Sequence, residues 1–507
     1  MRPGQADQGI RHTDRHPQAL NSEPVTNDRM DWFHEEPACR PLFRRPSEHG
    51  AAAMKSFSTT DKFQPCADSR PSEKPNIWEK TQDFALEPVP AGSRRSWLSM
   101  TVIMVAIGFD VGAFLIGIAL ADGLSLVKAI LAALSGSTLL GLLAISCAVV
   151  GSRTGFSAAR VAWFSFGHYA ARLIALLSGL SLLGWFGVQD GFLGNNLADI
   201  FATLGFHVPG ALFSVCGGIL MTSTAIYGYR SMETLSKWSV PALMLTMGLA
   251  IAVLFARGGL SEHAPPHPIR FTVAMGYVLS GFLASVSSFP DISRYARSTK
   301  DAALGAFFGF FLGNSLMLVI AIVLSKYTGE SNLVKLFASL HMTLCAVIVL
   351  TLAQWVTNTS NIYSISLAFS SVAPEAGIPK ALYAIGAGAV GTTLAVAGIA
   401  DHFLNFLVMM SIVVAPIGGA YSGYYFLCLR GRLPERAPAV VPGSLLAWIS
   451  GAILGWLTMR FDPLNGLYGL GVFSLTTVPP VDGFLLAFAI GGFPLRGIRR
   501  GRTPENR

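Results

Sequence analysis

A single carboxylate, Asp110, stands in the middle of a long apolar stretch that runs from Trp97 to Leu120. An ionisable side chain at mid-membrane depth costs about 2.5–3.5 kcal/mol on insertion scales, so such a residue faces a cavity, a partner or a bound ion. Gly108 and Gly112 flank the aspartate and weaken the helix there. The stretch therefore predicts a discontinuous membrane helix whose broken middle lines a binding site.

Three interpretations of Asp110 follow from its chemistry. The carboxylate pairs with a cationic or amidine-like group of a ligand, or it is the protonatable residue of a proton-coupled carrier, or it is bonded structurally to a serine or a backbone amide. A carboxylate beside a broken helix can change its protonation as its cavity opens and closes, as proton coupling requires. The sequence leaves all three interpretations open.

A second candidate site lies on the apolar segment that contains Gly184-Trp185-Phe186-Gly187-Val188-Gln189. Trp185 and Gln189 are four residues apart and so share one helical face, which Phe192 and Asn196 continue. A flat indole beside an amide suits a planar ligand that forms hydrogen bonds. The alternative is a packed tryptophan and a glutamine bonded to a neighbouring helix.

The most polar stretch inside an apolar segment is Ala353-Gln354-Trp355-Val356-Thr357-Asn358-Thr359-Ser360-Asn361. The Thr357 hydroxyl suits a small hard cation, while Asn358 and Asn361 offer donors and acceptors for the edge of a base. Buried hydroxyls and amides also join helices to one another, which is the structural alternative.

The composition places these residues in a membrane protein. Of 507 residues, 52% are hydrophobic and only 13% are charged, about half the charge of a typical soluble domain. The surplus of basic residues lies in loops and tails, which suits membrane lipid rather than nucleic acid. The six cysteines are scattered singly, and no spacing suggests a metal site or a cofactor.

We predict about twelve membrane segments. They lie near 97–121, 127–150, 171–200, 210–228, 238–256, 271–289, 302–325, 336–363, 379–400, 403–428, 443–459 and 477–494. If the amino terminus is cytoplasmic, the cytoplasmic loops carry about twice as many Lys and Arg residues as the opposite loops, so both termini should be cytoplasmic. Residues 1–83 are predicted to be a disordered cytoplasmic tail, in which Met54 is an alternative start, and residues 497–507 a basic tail.

The membrane domain, residues 84–496, has internal symmetry. The first segment carries Gly108-Phe109-Asp110 at mid-depth, and the sixth carries Ser280-Gly281-Phe282. An offset of five segments inverts the direction of the chain, which predicts two inverted five-helix repeats, about 97–256 and 271–428, with interrupted first and sixth helices. Helices 11 and 12, about 443–494, are appended.

Five motifs in order carry a resemblance to a known family. They are GWFGVQ at 184–189, RYAR at 294–297, FLGNSLM at 311–317, WVTN at 355–358 and PIGG at 416–419. With these motifs the chain resembles the nucleobase–cation symporter family of cytosine, purine, hydantoin and allantoin permeases, and is cytosine permease-like. The resemblance implies a leucine-transporter-like, all-helical fold, in agreement with the symmetry.

The resemblance also implies a substrate site. An aromatic sandwich would fall on Trp185 and Phe282, and the ligand's edge would be read by the Gly281 backbone, by the Gln189 amide and by the amides of Asn358 and Asn361. Phe282 resembles the cytosine carriers, whereas Gln189 resembles the hydantoin and allantoin carriers. Asp110 departs from the family, in which glutamine or phenylalanine is usual at that position.

The family's sodium site would use main-chain carbonyls of Ala106, Phe109 and Ala353 and two adjacent hydroxyl side chains. Those two positions read Val356 and Thr357 here, so one hydroxyl is replaced by a methyl group. Since sodium takes about five or six oxygens, the loss should weaken the site unless Asp110 or water compensates.

The sequence thus predicts a secondary active transporter of the cell membrane, not an enzyme, that imports a nucleobase or related heterocycle such as cytosine, a purine, allantoin or hydantoin together with Na⁺ or H⁺. One alternative substrate is a cationic amine or thiamine-related pyrimidine held by Asp110. A second alternative is a non-transporting membrane receptor with the same pocket.

Overall fold

Helices make up most of the structure that the computed structural model describes, which covers residues 83–258, 261–462, 467–476 and 478–493. These residues belong to one compact unit, Ser72–Arg507. The predicted disordered tail, residues 1–83, lies outside the described residues except for Asp83, and the predicted basic tail, residues 497–507, lies wholly outside them.

The helices follow one another along the chain with short connections. They are α1 (Trp97–Gly108), α2 (Val111–Gly123), α3 (Leu126–Thr154), α4 (Ala158–Ser165), α5 (His168–Thr203), α6 (Gly210–Ile226), α7 (Tyr229–Ala256), α8 (Phe271–Ser288), α9 (Pro290–Ser293), α10 (Thr299–Thr328), α11 (Leu333–Ser339), α12 (Thr343–Ser370), α13 (Lys380–Val396), α14 (Phe403–Gly423), α15 (Pro442–Thr458) and α16 (Pro479–Gly491). A short antiparallel hairpin of β1 (Phe461–Asp462) and β2 (Leu467–Tyr468) joins α15 to α16.

The first membrane segment is broken where the sequence predicts it. Helices α1 and α2 form one apolar span that bends by 63° between Gly108 and Val111. Asp110 has extended backbone angles (φ −114°, ψ 163°) and is the N-cap of α2. This break confirms the predicted discontinuity and leaves a helix end from each half at mid-membrane depth.

The apolar helices match the predicted segments. In the described part of the chain, seven helices and the bent α1–α2 pair are long and apolar enough to cross a membrane, and α6, α13, α15 and α16 are shorter apolar helices. One boundary was predicted wrongly. The segment expected at 336–363 is divided, because α11 ends before His341, which has a left-handed φ of 57°, and α12 begins at Thr343.

The sixth span differs from the prediction in the position of its break. Helix α8 continues through Ser280-Gly281-Phe282 to Ser288, and the chain then turns at Phe289 into the short helix α9. The helix is therefore not interrupted at Gly281, although an interruption was predicted there. The turn lies at the end of the span, at Phe289. A glycine within a membrane helix is compatible with a continuous helix because neighbouring helices can pack closely against it.

The spans pack in two groups that reflect the inverted repeats. Helices α1, α2, α3, α8 and α10 contact one another, and these are the first two spans of each repeat. Helices α5, α6, α12 and α13 form the second group, and these are the third and fourth spans of each repeat. Gly108 allows α1 to approach α10 closely, since a Cβ there would lie 2.7 Å from Cα of Gly313. The predicted all-helical, two-repeat fold is thus confirmed.

Candidate functional site

The two half-helices of the first span meet the second group of helices at Asp110. The side chain is only 3% exposed, and its Oδ1 accepts a hydrogen bond of 2.6 Å from the main-chain amide of Ala113. The amide of Gln189 on α5 also lies within hydrogen-bonding reach of the carboxylate. Asp110 therefore closes the first turn of α2, where the positive end of the helix dipole favours an anion, and at the same time faces a predicted ligand-binding side chain.

The aromatic face predicted on α5 is present, and it has a partner that the sequence did not reveal. Trp185 is 9% exposed, and its ring meets the ring of Phe406 on α14 edge to face, with centroids 6.2 Å apart and planes at 86°. A Cβ at Gly184 would collide with the Phe406 ring. Glycine at 184 is thus required for this contact. Phe406 was missed because nothing in the sequence around it indicates that it packs against Trp185, 221 positions earlier.

The second aromatic residue, Phe282, is buried on α8 with 5% exposure. Next to it, Gly281 packs closely against α2, because a Cβ there would lie 2.7 Å from Cδ1 of Ile116. The backbone at Gly281 therefore lies beside the second half of the broken span. The sandwich of Trp185 and Phe282 stays a prediction, and both rings lie buried on helices that contact α2.

The carbonyl end of α1 meets α12 at Thr357. The Thr357 hydroxyl donates a hydrogen bond of 3.1 Å to the carbonyl oxygen of Ile107. Ala106, Phe109 and Ala353 are fully buried around this contact. The last carbonyls of a helix carry partial negative charge, so this junction suits a cation. Val356 presents a buried methyl group instead of a second hydroxyl.

Part of the polar stretch on α12 joins helices. The side-chain amide of Asn358 donates to the carbonyl of Phe186 at 3.1 Å, and its Oδ1 accepts from the amide of Asn361 at 2.9 Å. Gln354 donates in the same way to the carbonyl of Gln189 at 2.8 Å. These bonds fix α12 against α5 and hold Gln189 in place. The role of Asn358 and Asn361 in reading a ligand's edge stays a prediction.

The RYAR motif, 294–297, binds the segment that precedes α1. In the sequence it was only one of the five family motifs. Arg294 is fully buried and donates to the carbonyls of Asp83 and Phe84 and to the Tyr363 hydroxyl, at 2.6–3.0 Å. The Asp83 carboxylate accepts from the Tyr295 hydroxyl at 2.7 Å. Asp83, the last residue of the predicted tail, is therefore packed against the membrane domain.

The electrostatics of this cluster favour an ionised Asp83. Burial by itself raises the pKa of a carboxyl group, but the nearby cations Lys380 and Arg294 and the hydrogen bonds from Tyr229 and Tyr295 together hold the pKa of Asp83 below its usual value. The negative charge of Asp83 thus compensates buried positive charge, and its hydrogen bonds connect the segment before α1 to α7 and to the turn after α9.

Comparisons with known proteins agree with this architecture. Residues 88–437 match the model of a family described as permeases for cytosine/purines, uracil, thiamine and allantoin. The chain is 28% identical over 406 residues to the cytosine permease of Escherichia coli strain K12, which covers 79% of this chain and 94% of that protein. It is 23% identical over 363 residues to the hydantoin permease of Microbacterium maritypicum, which covers 66% of this chain and 73% of that protein.

Solved structures show the same fold. The chain is similar to Mhp1, a nucleobase-cation-symport-1 family transporter in a closed conformation with bromovinylhydantoin bound, with a TM-score of 0.68, 21% identity, and coverage of 81% of this chain and 94% of that one. A Na⁺-coupled sialic acid symporter matches with a TM-score of 0.57, 14% identity, and coverage of 82% and 94%.

The family match covers more than half of the chain, and its helices include a broken span of the kind that carriers use at their substrate sites. The protein is thus a multi-pass membrane transporter of nucleobase-like substrates rather than an enzyme. The chain belongs to the family of permeases for cytosine/purines, uracil, thiamine and allantoin.

Proposed function

We propose that this permease is a cation-coupled symporter that imports a planar nitrogen heterocycle by alternating access, with cytosine as the first candidate substrate. The observation that carries the proposal is the junction at the break of the first span. There the carbonyl end of α1, the Asp110 cap of α2 and the Gln189 amide come together in a buried region. Cytosine is favoured because the Escherichia coli relative is named for it.

The ligand would lie between Trp185 and Phe282, because stacking on flat rings selects a planar molecule. Its edge would meet the Gln189 amide, the Gly281 backbone and the Asp110 carboxylate. One oxygen of Asp110 accepts from the Ala113 amide, and a ring N–H or amino group of the ligand would donate to the other oxygen beside the Gln189 amide. Asn358 would act by holding the helices that carry these residues.

The coupling cation would lie between the end of α1 and α12. Carbonyls of Ala106, Phe109 and Ala353 and the Thr357 hydroxyl are the proposed ligands. A site of this kind would join the two packing groups, so that a bound cation and a bound substrate stabilise the same closed state. Either Na⁺ or H⁺ could supply the driving gradient, and both termini would be cytoplasmic in the cell membrane, as the distribution of basic residues predicts.

The experiment is uptake of labelled cytosine into proteoliposomes under an imposed Na⁺ or H⁺ gradient. Unlabelled adenine, hypoxanthine, uracil, allantoin, hydantoin and a thiamine-type pyrimidine serve as competitors. We expect one planar base to compete strongly. If only a cationic compound competes, the cationic substrate held by Asp110 replaces this proposal. Binding without accumulation under either gradient would favour the receptor alternative.

A further inference from the structure

A buried carboxylate outside the proposed substrate site has no hydrogen-bond partner. The side chain of Asp190 on α5 is completely buried, and neither Oδ1 nor Oδ2 is hydrogen-bonded. The main chain of the same residue is satisfied, since its carbonyl accepts from the Ser214 hydroxyl at 3.0 Å. Asp190 follows Gln189 directly but points to α6 rather than to the break of the first span.

The surroundings of the Asp190 carboxylate are small and uncharged. Gly217 and Gly218 on α6 leave room for it, because a Cβ on Gly217 would lie 2.9 Å from Oδ1 and one on Gly218 would lie 3.2 Å from Oδ2. The Thr392 hydroxyl on α13 borders the same space. In the described part of the chain, no charged or titratable side chain of α6, of α13 or of the other elements packed on α5 faces this carboxylate.

An ionised carboxylate is not stable in such a place. Its hydration is lost, and among the described residues only the Thr392 hydroxyl is placed to offset that loss, so the neutral acid is the favoured form. A sodium ion needs about five or six oxygens, more than the two oxygens of Asp190 and the Thr392 hydroxyl supply. The group therefore holds a proton in this conformation.

The other candidate coupling groups point the same way. Asp110 accepts the Ala113 amide at the amino end of α2, an arrangement that stabilises its charged form. The sodium site lacks one hydroxyl at Val356, and the Thr357 hydroxyl is already donated to Ile107. Asp110 thus has the Ala113 and Gln189 amides beside it, whereas the Asp190 carboxylate is bordered by the Thr392 hydroxyl and by glycines.

We propose that Asp190 is the proton-binding residue that couples this permease to a proton gradient. The inference rests on the proposed function and deepens it by naming H⁺ as the coupling ion, bound at Asp190 instead of at the end of α1. In the present conformation the proton is held on the Asp190 carboxyl group. When water reaches the space between α5, α6 and α13, the O–H bond breaks, the proton passes to water and the carboxylate is left hydrated; protonation from the opposite side reverses the step.

The test compares two transport modes in proteoliposomes for the wild type, Asp190→Asn and the control Asp199→Asn, which changes an exposed carboxylate on the same helix. The first mode is accumulation of labelled cytosine, or of whichever heterocycle the wild type binds, driven by a proton gradient. The second is exchange of labelled for unlabelled substrate without any gradient. Because asparagine matches the neutral acid in size and polarity, we expect Asp190→Asn to fold.

The expected result is that Asp190→Asn loses accumulation, with the internal-to-external ratio falling to about 1, but retains exchange, while Asp199→Asn behaves as the wild type. A pH-sensitive dye should report proton entry with substrate in the wild type and in Asp199→Asn, but not in Asp190→Asn. If Asp190→Asn accumulates substrate with an unchanged pH profile, or if wild-type accumulation follows Na⁺ alone, the inference is overturned. Absence of exchange in the wild type for every heterocycle would instead overturn the proposed function.

Discussion

Replacement of Asp110 separates its structural role from its role toward substrate. In the structure the carboxylate does one task that an amide can also do, because the Oδ1 of asparagine can accept the 2.6 Å bond from Ala113. It also has a second oxygen, which is the proposed acceptor for the substrate and which the amide of asparagine would replace by a donor. Asp110→Asn should therefore keep the cap and lose the acceptor, whereas Asp110→Ala should lose both.

The magnitudes follow from these bonds. Loss of an N-cap costs about 0.5–2 kcal/mol of stability. Loss of a hydrogen bond from substrate to a charged oxygen costs about 1.5–3 kcal/mol, or roughly a 10–150-fold rise in Kd. We thus expect Asp110→Asn to retain the wild-type melting temperature and to bind cytosine about 10–150-fold more weakly. Asp110→Ala should bind as weakly and also melt at a lower temperature.

The assay combines equilibrium binding of labelled substrate to purified protein with thermal unfolding followed by gel filtration. Ser298→Ala is the matched control, because Ser298 caps α10 through the Asp301 amide at 3.0 Å on an exposed surface. That variant should lose stability without loss of affinity. An Asp110→Asn protein that binds cytosine within about threefold of the wild type would falsify the assignment of the second oxygen to the substrate.

Three further outcomes are expected. Trp185→Ala should abolish substrate binding with normal membrane insertion. The control Trp238→Ala, at a position 78% exposed, should leave binding unchanged. Equal effects of the two substitutions in a binding assay would contradict the proposed aromatic sandwich. Val356→Thr adds the missing hydroxyl oxygen as a further ligand for sodium, so Na⁺ should raise the melting temperature of this variant more than that of the wild type. Equal Na⁺ responses would count against a cation site there. Asp83→Asn should lower the melting temperature and make it less dependent on acid pH. The depressed pKa of folded Asp83 contributes stability at a pH above the unfolded pKa of about 3.9, and this stability is lost as the pH falls through the folded pKa. Parallel melting curves for both proteins between pH 3 and 6 would refute this.

The sequence predicted the parts of the fold that depend on apolar length and on local breaks. The break at Asp110 was predictable because a carboxylate, which is costly inside an apolar segment, occurs there together with two glycines, which weaken a helix. The same reasoning failed at Gly281, since a lone glycine between apolar residues is compatible both with a broken helix and with close packing of an intact one. Helix packing, which decides between the two, is not visible in one segment.

The residue types of the candidate site were predictable, but the partner of each side chain was not. Asn358 and Thr357 are close in the chain and similar in chemistry, yet one binds a carbonyl on α5 and the other a carbonyl on α1. Phe406 and Asp83 escaped notice because their partners are distant in sequence: Trp185 lies 221 positions before the former, and Tyr295 lies 212 positions after the latter. Such pairs follow from tertiary packing alone.

The edge-to-face contact between Trp185 and Phe406 has a consequence for ligand chemistry. The Phe406 ring occupies the space that a Cβ of residue 184 would need, so in the proposed site it would border one edge of the ligand stacked on the indole. A heterocycle with a long side arm on that edge would have to displace the Phe406 ring, and α14 with it. A series of heterocycles whose side arm grows by one methylene at a time would therefore measure how far α14 can move. The length at which transport stops, and the compound becomes an inhibitor, marks that limit.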